Sequence, residues 1–319
     1  MFFFTKLTCL PADRKEHNMN PFLAIIIANV IMGMTAPIMK MGLTEIPPAL
    51  LGFIRFASAS ILLTPFVISR WKPLIKKDWI TLILAGICGV GLHIGLFFLG
   101  LQRAQSIVAP VIASSGPVIL YAIALIFLSE KFILKKFYGM VVALGGVLVI
   151  VLAPLILNGT VVHHQQAVGN LLMFVATIFG VLHAFLIKKL SGKIGALQIS
   201  LVVFVSGSLS FLPFTFGEMQ SWSIEEVTIR GWLALLFGIF FVSLGAYTLI
   251  HYALTKIAAS DVGMFAYMDP VIALLIAWPL LGEKPDIFYF IGSLLVFGGI
   301  YLAEGRLHWH PFHKLRNYN

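Results

Sequence analysis

Charged side chains are scarce in this sequence. Asp, Glu, Lys and Arg make up 11% of its 319 residues, and hydrophobic residues make up 60%. A soluble domain carries about 25% charged residues, so the composition excludes an ordinary soluble protein. Low charge combined with long apolar runs indicates a chain that crosses a membrane several times.

Cysteines are few and enzyme signatures are missing. Of two cysteines, Cys9 lies in the N-terminal tail and Cys88 in a hydrophobic segment, which excludes a disulfide framework and a cysteine-based metal site. The sequence contains no HExxH, P-loop or GxSxG motif. We therefore predict no catalytic residue, no cofactor and no metal, and an energy source other than ATP.

What the chain does have is a series of apolar segments of about 20 residues, the length that crosses a bilayer as a helix. We predict an all-α integral membrane protein with ten transmembrane helices. The predicted spans are 21–41, 48–68, 79–100, 105–128, 137–154, 168–188, 197–216, 232–252, 259–281 and 287–304.

Basic residues are distributed unevenly among the links between these spans. If both termini are cytoplasmic, most of the 22 Lys and Arg residues fall on the inner side, and the outer links contain only Arg103, Arg230 and Lys284. Positive charge marks cytoplasmic loops, so we predict an N-in, C-in orientation in a bacterial cytoplasmic membrane. The same distribution accounts for the net charge of +9 without nucleic acid.

The second half of the chain repeats the first. PVILYAIALIFLSEK at Pro117–Lys131 returns as PVIALLIAWPLLGEK at Pro270–Lys284, and the alignment continues without a gap to residues 149 and 302. Each half contains five predicted spans. Because five is odd, the second copy enters the membrane from the opposite side. This predicts two inverted-topology five-helix repeats, a construction found in many secondary transporters.

These features resemble the drug/metabolite transporter superfamily. The segment PPALLGFIRFASASILLTPF in span two, the two five-span halves and the twice-written proline-to-SEK or GEK segment are similar to its EamA-type branch. The resemblance implies small-molecule transport, commonly export, through a central cavity between the halves. It does not identify the substrate.

The predicted layout follows from the spans and the repeat. It consists of a cytoplasmic tail at 1–19, a first repeat at 20–154, an external linker at 155–167, a second repeat at 168–305 and a cytoplasmic tail at 306–319. Met19 lies directly before the first span. Translation starting at Met19 is a further hypothesis, under which residues 1–18 are dispensable.

Asp269 is the main candidate for ion coupling, because ionisable groups inside a bilayer are costly and mark functional sites. It precedes Pro270, which, like Pro117, removes a helix hydrogen bond. We expect both prolines to kink their helices near the membrane centre. Asp269 would bind a proton or a cationic substrate group, or else pair with a neighbour and fix packing. The resemblance supports a site, since many relatives carry an acidic residue at this place.

Arg55 and Lys40 are two cations that lie within or at the edge of predicted spans. Arg55 keeps its proton in proteins, and an arginine at this place resembles the family pattern. It would snorkel outward, bind an anionic group, or pair with Asp269 or a helix end. Lys40 stands at the outer end of span one, where we expect it to snorkel.

Uncharged polar side chains complete the candidate cavity. Histidine relays protons near physiological pH, but a lone histidine in a span is usually a hydrogen-bonded packing residue. Three histidines lie in predicted spans: His93, His183 and His251. As a site residue, the sequence favours His251, near the inner end of span eight, less than His93 or His183. The predicted cavity-lining residues are Asn29, Arg55, His93, Ser114, Ser115, His183, Tyr247, Tyr267 and Asp269.

For other residues that match between the two repeats, we predict structural roles. Glu130 and Glu283 end their spans, and we expect each to hold a turn by capping the next helix or pairing with a nearby lysine. Glycines in spans five and ten permit close helix approach; they stand at positions 139, 145, 146, 292, 298 and 299.

The sequence thus predicts a secondary transporter that exports a small organic metabolite, an amino acid or related compound or a drug-like solute, by alternating access. Its partners are that solute, the bilayer, and a proton or other ion; the oligomeric state stays open. An uptake transporter of the same fold is the alternative. A channel or a membrane scaffold is the alternative class, although channels typically need charge rings or carbonyl filters.

Overall fold

A computed structural model describes residues 19–116, 118–119, 123, 134–156, 161–190, 193–257, 262 and 265–304. Within these ranges the chain forms helices and no strands, which confirms the all-α prediction for them. Pro117, Glu130, the tail ends 1–18 and 305–319, and residues 120–122 and 124–128 of the span predicted at 105–128 lie outside the described residues.

The described helices follow the predicted apolar segments in order. They are α1 Pro21–Leu43, α2 Pro48–Ile68, α3 Lys76–Leu101, α4 Val108–Ala113, α5 Leu134–Ile156, α6 Val161–Lys188, α7 Ala196–Leu209, α8 Leu212–Met219, α9 Ile229–Lys256, α10 Asp269–Leu281 and α11 Ile287–Glu304. Within the described ranges, five of them are long and apolar enough to cross a membrane: α1, α2, α3, α6 and α9. The pair α7–α8, bent by 50°, makes a sixth if it counts as one span.

Local sequence explains several helix ends. At the start of α1, Asn20 accepts a hydrogen bond from the Phe22 backbone N–H at 2.9 Å and proline occupies the first turn, a favourable cap. At the end of α10, Gly282 adopts a left-handed conformation with φ of 67°, which glycine tolerates best. Helix α6 begins at Val161, inside the segment predicted as a linker. Its first turns contain polar residues, so the apolar pattern did not include them in the predicted span.

Glycines set the closest helix contacts. A Cβ at Gly146 of α5 would lie 2.6 Å from the carbonyl oxygen of Gly292 on α11, and a Cβ at Gly299 would lie 2.5 Å from that of Gly139. The early part of α5 therefore meets the late part of α11, and the two helices run antiparallel. This confirms the expected close approach at four of the six predicted glycines, while Gly145 has open space, as does position 298.

Helix α3 of the first half packs against α6 of the second. Gly100 and Gly169 face each other so closely that a Cβ on either would lie 2.6–2.7 Å from the carbonyl oxygen of the other. Helices α3 and α9 each contain a π-helical segment, Ile87–Leu92 and Phe237–Tyr247. Both π segments lie beside buried polar side chains, the first beside His183 and the second beside Arg55.

Loops from both halves meet at one end of the bundle. Lys40, expected to snorkel, instead binds the carboxylate of Glu283 at 2.7 Å and the carbonyl of Ala104 at 2.6 Å. The pairing of Glu283 with a lysine is confirmed. Glu283 also accepts hydrogen bonds from the Ser106 and Ile107 backbone N–H groups. These residues directly precede α4 of the other half, so Glu283 holds the start of α4 and not that of the next helix.

Candidate functional site

Arg55 on α2 is almost fully buried, with 1% of its surface exposed. Its Nε donates a hydrogen bond to Ser243 Oγ on α9 at 2.8 Å. Its terminal nitrogens, Nη1 and Nη2, are buried and have no hydrogen-bond partner among the residues that the structure describes. Arg55 therefore neither snorkels nor forms a described salt bridge with Asp269, and its outer donors point into the protein interior.

Aromatic rings cover this guanidinium. Its Cζ lies 4.6 Å from the centroid of the Phe56 ring and 5.8 Å from that of Tyr247. Phe204 on α7 packs against both rings, with centroids 5.3 and 6.1 Å away. The rings supply cation–π attraction but no hydrogen-bond acceptor for the N–H groups at the guanidinium edge. A planar oxyanion such as a carboxylate matches that edge with two parallel hydrogen bonds.

The π-helical segment Phe237–Tyr247 explains how α9 reaches this group. It carries both Ser243 and Tyr247. Gly238, in the same segment, faces the arginine stem, where a Cβ would lie 3.0 Å from Arg55 Cδ. Such segments occur frequently at functional sites, and here the glycine leaves the room that the long side chain needs.

Two histidines cross-link α3 and α6 reciprocally. His93 Nδ1 on α3 lies 2.7 Å from the carbonyl oxygen of Ala176 on α6, and His183 Nδ1 on α6 lies 2.8 Å from that of Ala85 on α3. A carbonyl oxygen only accepts, so both Nδ1 atoms carry the hydrogen. Gly89 makes room for the second contact, because a Cβ there would collide with the His183 ring.

His183 also meets His251 of α9, the histidine that the sequence favours less. The two Nε2 atoms lie 3.2 Å apart, and His251 Nδ1 lies 2.7 Å from Ser200 Oγ on α7. His251 and Ser200 are fully buried, and His183 is 8% exposed. One chain of hydrogen bonds therefore links α3, α6, α7 and α9.

Asp269 begins α10, directly after a 3₁₀ turn at Ala266–Met268. Its Oδ1 is buried without a hydrogen-bond partner in the described part of the chain. Pro270, expected to kink the middle of a helix, instead occupies the first turn of α10. The first turn leaves that N–H unpaired in any case, so proline fits without strain. Gly33 lets α1 approach closely, since its Cβ would lie 3.2 Å from the Asp269 carbonyl oxygen.

Three of the remaining predicted residues hydrogen-bond to backbone close to them in the chain. Asn29, Ser114 and Ser115 each donate to a backbone carbonyl three or four residues earlier, at 2.8, 2.8 and 2.7 Å. Tyr267 packs edge-on against Phe297, with ring centroids 6.3 Å apart. These contacts fit a packing role.

The structure thus gathers some of the predicted residues and adds others. Arg55, Tyr247 and His183 meet in one buried group, here called the central cluster. Its full membership is Arg55, Phe56, His183, Ser200, Phe204, Ser243, Tyr247 and His251. The serines and phenylalanines were not predicted, since they stand in ordinary apolar runs; the available signal was that a hydroxyl inside a span needs a partner. Among the described residues no group of three His, Cys, Asp or Glu side chains could hold a metal ion.

A bundle of apolar helices around a buried guanidinium, histidines and serines defines a polytopic membrane protein with a polar interior. Two stretches of the chain, residues 19–152 and 167–304, match the EamA-like transporter family. The chain therefore belongs to that family, with two copies of its domain, and has a small-molecule substrate and a membrane environment.

Relatives along nearly the whole chain carry transporter names. The chain is 30% identical to "Uncharacterized transporter YetK" of Bacillus subtilis (strain 168), over 90% of this chain and 88% of that protein. It is 24% identical to "Probable terminal-alkyne amino-acid exporter" of Streptantibioticus cattleyicolor, over 89% and 93%. A solved crystal structure superposes with a TM-score of 0.60 at 18% identity, covering 88% of this chain and 98% of the other; this likeness shows the fold alone.

Proposed function

We propose that the protein is a secondary transporter that exports a small carboxylate-bearing metabolite, an amino acid or related compound, across the bacterial cytoplasmic membrane. Two inverted five-helix repeats would expose a site between them to each side in turn, with both chain termini in the cytoplasm. An ion or solute gradient would drive the cycle.

The observation that carries this proposal is the pair of unpartnered Arg55 nitrogens. A guanidinium stays charged, and a buried charge without a hydrogen-bonding partner costs several kcal/mol. Such a group is retained in a membrane protein where it serves a function. A substrate carboxylate would supply the missing acceptors, and Ser243 at 2.8 Å already orients the guanidinium.

The aromatic rings support an organic solute. Phe56, Phe204 and Tyr247 provide apolar surface beside the guanidinium, and a ligand site combines such walls with few polar groups. The name of the Streptantibioticus cattleyicolor relative, an amino-acid exporter, agrees with this chemistry.

The antiparallel contact of α5 and α11 supports the inverted repeats. These helices are counterparts in the sequence repeat, and their matched glycines meet crosswise, Gly139 with Gly299 and Gly146 with Gly292. Counterpart helices that run in opposite directions are what an inverted repeat requires. The domain boundaries at 20–154 and 168–305 then enclose one repeat each.

A counterflow assay in proteoliposomes tests the substrate class. The vesicles are loaded with one unlabelled amino acid, organic acid or cationic dye at a time, and uptake of the labelled solute is measured. We expect exchange of a carboxylate solute and inhibition by that solute but not by its amide. Arg55→Gln should abolish the exchange, whereas Arg230→Gln, on the exposed first turn of α9, should leave it unchanged. Equal transport of acid and amide, with Arg55→Gln active, would overturn the proposal.

A growth test distinguishes export from uptake. Cells that overproduce an exporter tolerate an excess of its solute better, whereas an importer makes them more sensitive. We expect protection, and loss of that protection in the Arg55→Gln strain. Sensitisation would support uptake by the same fold.

A further inference from the structure

The proposed function leaves the hydrogen-bonded histidines of the central cluster unused. His183 and His251 are both buried, with Nε2 atoms 3.2 Å apart. They belong to different helices, α6 and α9, and His183 also binds α3 of the other half through Ala85. Buried ionisable groups in a membrane protein are functional candidates.

Hydrogen-bond chemistry fixes every proton of the neutral pair. His183 Nδ1 must donate, because its partner is the Ala85 carbonyl oxygen. In a neutral ring the other nitrogen then has no hydrogen, so His183 Nε2 accepts and His251 Nε2 donates. His251 Nδ1 in turn accepts from the hydroxyl of Ser200. The pair therefore has one allowed arrangement: His183 protonated on Nδ1 and His251 on Nε2.

One additional proton fits without breaking a hydrogen bond between the rings. It adds to His251 Nδ1, and the Ser200 hydroxyl rotates so that its oxygen accepts. The hydroxyl hydrogen then turns to a carbonyl of its own helix, as in Ser206, whose Oγ donates to the Val202 carbonyl at 2.8 Å. The Nε2–H···Nε2 bond remains and becomes charge-assisted, which strengthens it.

A second proton does not fit. It would protonate His183 Nε2, so that two N–H groups would face each other across 3.2 Å. Two positive rings would also repel each other in a site of low dielectric constant. The capacity of the pair is therefore one proton.

The surroundings offer the added charge no carboxylate. Among the described residues no Asp or Glu hydrogen-bonds either ring. Phe204 and Tyr247 pack against His251 with ring centroids 6.3 and 6.1 Å away. The titratable or charged groups on the helices packed around the pair include Arg55 on α2, Cys88 and His93 on α3, Lys188 on α6, and Tyr247, Tyr252 and Lys256 on α9. The added charge on His251 is stabilised by the charge-assisted Nε2–H···Nε2 bond to His183.

We propose that His183 and His251 form a binding site for one proton at the junction of the two repeats, and that this site couples transport to the proton gradient. The coupling part rests on the proposed function; the proton-binding part does not. The added proton strengthens the Nε2–H···Nε2 bond that joins α6 to α9, so occupancy of the site is tied to the packing of these helices.

Nitrogen NMR of the purified protein with ¹⁵N-labelled histidine tests proton binding. We expect His183 protonated on Nδ1 and His251 on Nε2 at high pH, and one shared titration of both rings between about pH 4 and 9. His183→Asn keeps a donor near Ala85 and His251→Asn keeps an acceptor near Ser200, so each removes the pair with little other change. Either variant should abolish the shared titration, and His164→Gln, on exposed α6 surface, should not. Two independent titrations, or none in this range, would overturn the proposal.

Transport measurements test the coupling. The variant His251→Asn should lose accumulation driven by a pH gradient and keep counterflow of the same solute. Unchanged pH-driven accumulation in this variant would refute the coupling. If no solute exchanges even in wild-type vesicles, the proposed function fails, while the NMR titration still decides the proton site.

Discussion

The carboxylate of Glu283 lies 2.7 Å from the ammonium of Lys40, although 243 residues separate them. The same carboxylate accepts hydrogen bonds from the Ser106 backbone N–H and hydroxyl at 2.9 and 2.8 Å, and from the Ile107 N–H at 3.1 Å. Its side chain is 8% exposed. One acidic residue of the second half therefore fixes the end of α1 and the start of α4, both in the first half.

Replacing Glu283 should destabilise this end of the bundle. In Glu283→Gln the amide leaves the Lys40 charge unpaired and places an N–H₂ group among donors, which should lower the free energy of unfolding by about 3 kcal/mol. Thermal unfolding in detergent measures the loss. Lys284→Gln, the exposed neighbour, is the matched control. In a double-mutant cycle, adding Lys40→Met should recover part of the loss, because no unpaired charge remains; strictly additive losses would contradict the pairing.

Glu45 should make stability depend on pH. This carboxylate, in the loop after α1, accepts hydrogen bonds from the Thr228 hydroxyl and from the Thr228 and Gly231 N–H groups at 2.7, 2.8 and 3.2 Å. The Thr228 hydroxyl bond is the main reason that the pKa of Glu45 lies below its ordinary value. A lowered pKa stabilises the folded state above the unfolded pKa, about 4.3, and this stabilisation is lost as the pH falls through the folded pKa.

The comparison of wild type with Glu45→Gln measures this contribution. We expect the wild type to unfold at a higher temperature above about pH 5, and the difference to shrink as the pH falls below about 4. Glu225→Gln, an exposed carboxylate of the neighbouring loop, should show no such convergence. A constant difference between wild type and Glu45→Gln across this range would contradict the role of the ionised group.

Apolar length and residue type were sufficient to predict the helical class, the close helix approach at glycines of α5 and α11, and the place of Arg55 inside a span. They could not predict that His251 meets His183, because that contact depends on how α6 and α9 are rotated about their axes. Lys40 was misjudged for a similar reason. A cation near a helix end usually reaches water, but here folding brings the Glu283 carboxylate within hydrogen-bonding distance.

The ends of helices are also difficult to predict from apolar runs. A run of apolar residues predicts the part of a helix that lies in the bilayer, whereas α6 continues outward through His164 and its polar neighbours. Pro270 was expected inside a helix because Asp269 precedes it within one apolar run. The 3₁₀ turn at Ala266–Met268 divides that run, and apolar periodicity contains no signal for such a division.

Removing the hydroxyl of Ser243 should weaken substrate binding without unfolding the protein. In Ser243→Ala the Arg55 Nε loses its partner at 2.8 Å, and a hydrogen bond to a charged group contributes about 1.5–3 kcal/mol. We expect the KM for a carboxylate solute to rise about tenfold, because the guanidinium is no longer oriented. Ser206→Ala, which removes a hydroxyl bonded only within α7, is the control. An unchanged KM in Ser243→Ala would place the substrate elsewhere.

A neutral side chain at position 269 should show whether Asp269 contributes to proton coupling independently of His183 and His251. Its Oδ1 is buried without a described partner, so Asp269→Asn should fold and abolish accumulation driven by a pH gradient. The shared titration of His183 and His251 should persist in this variant, since Asp269 does not contact them. If Asp269→Asn still follows a proton gradient, Asp269 is not a coupling residue and its carboxylate has a packing or substrate-binding role.

Adjacent glycines on α11 offer a matched test of the contact with α5. A Cβ at Gly299 would lie 2.5 Å from the Gly139 carbonyl oxygen, whereas a Cβ at Gly298 would meet nothing within 4 Å. Gly299→Ala should therefore force the helices apart and cost about 1–3 kcal/mol. Gly298→Ala should be neutral or stabilising by up to about 1 kcal/mol, because alanine favours the helix. Thermal unfolding of the two variants, side by side in the same detergent, measures the difference, and equal midpoints would show that α5 and α11 do not touch at this depth.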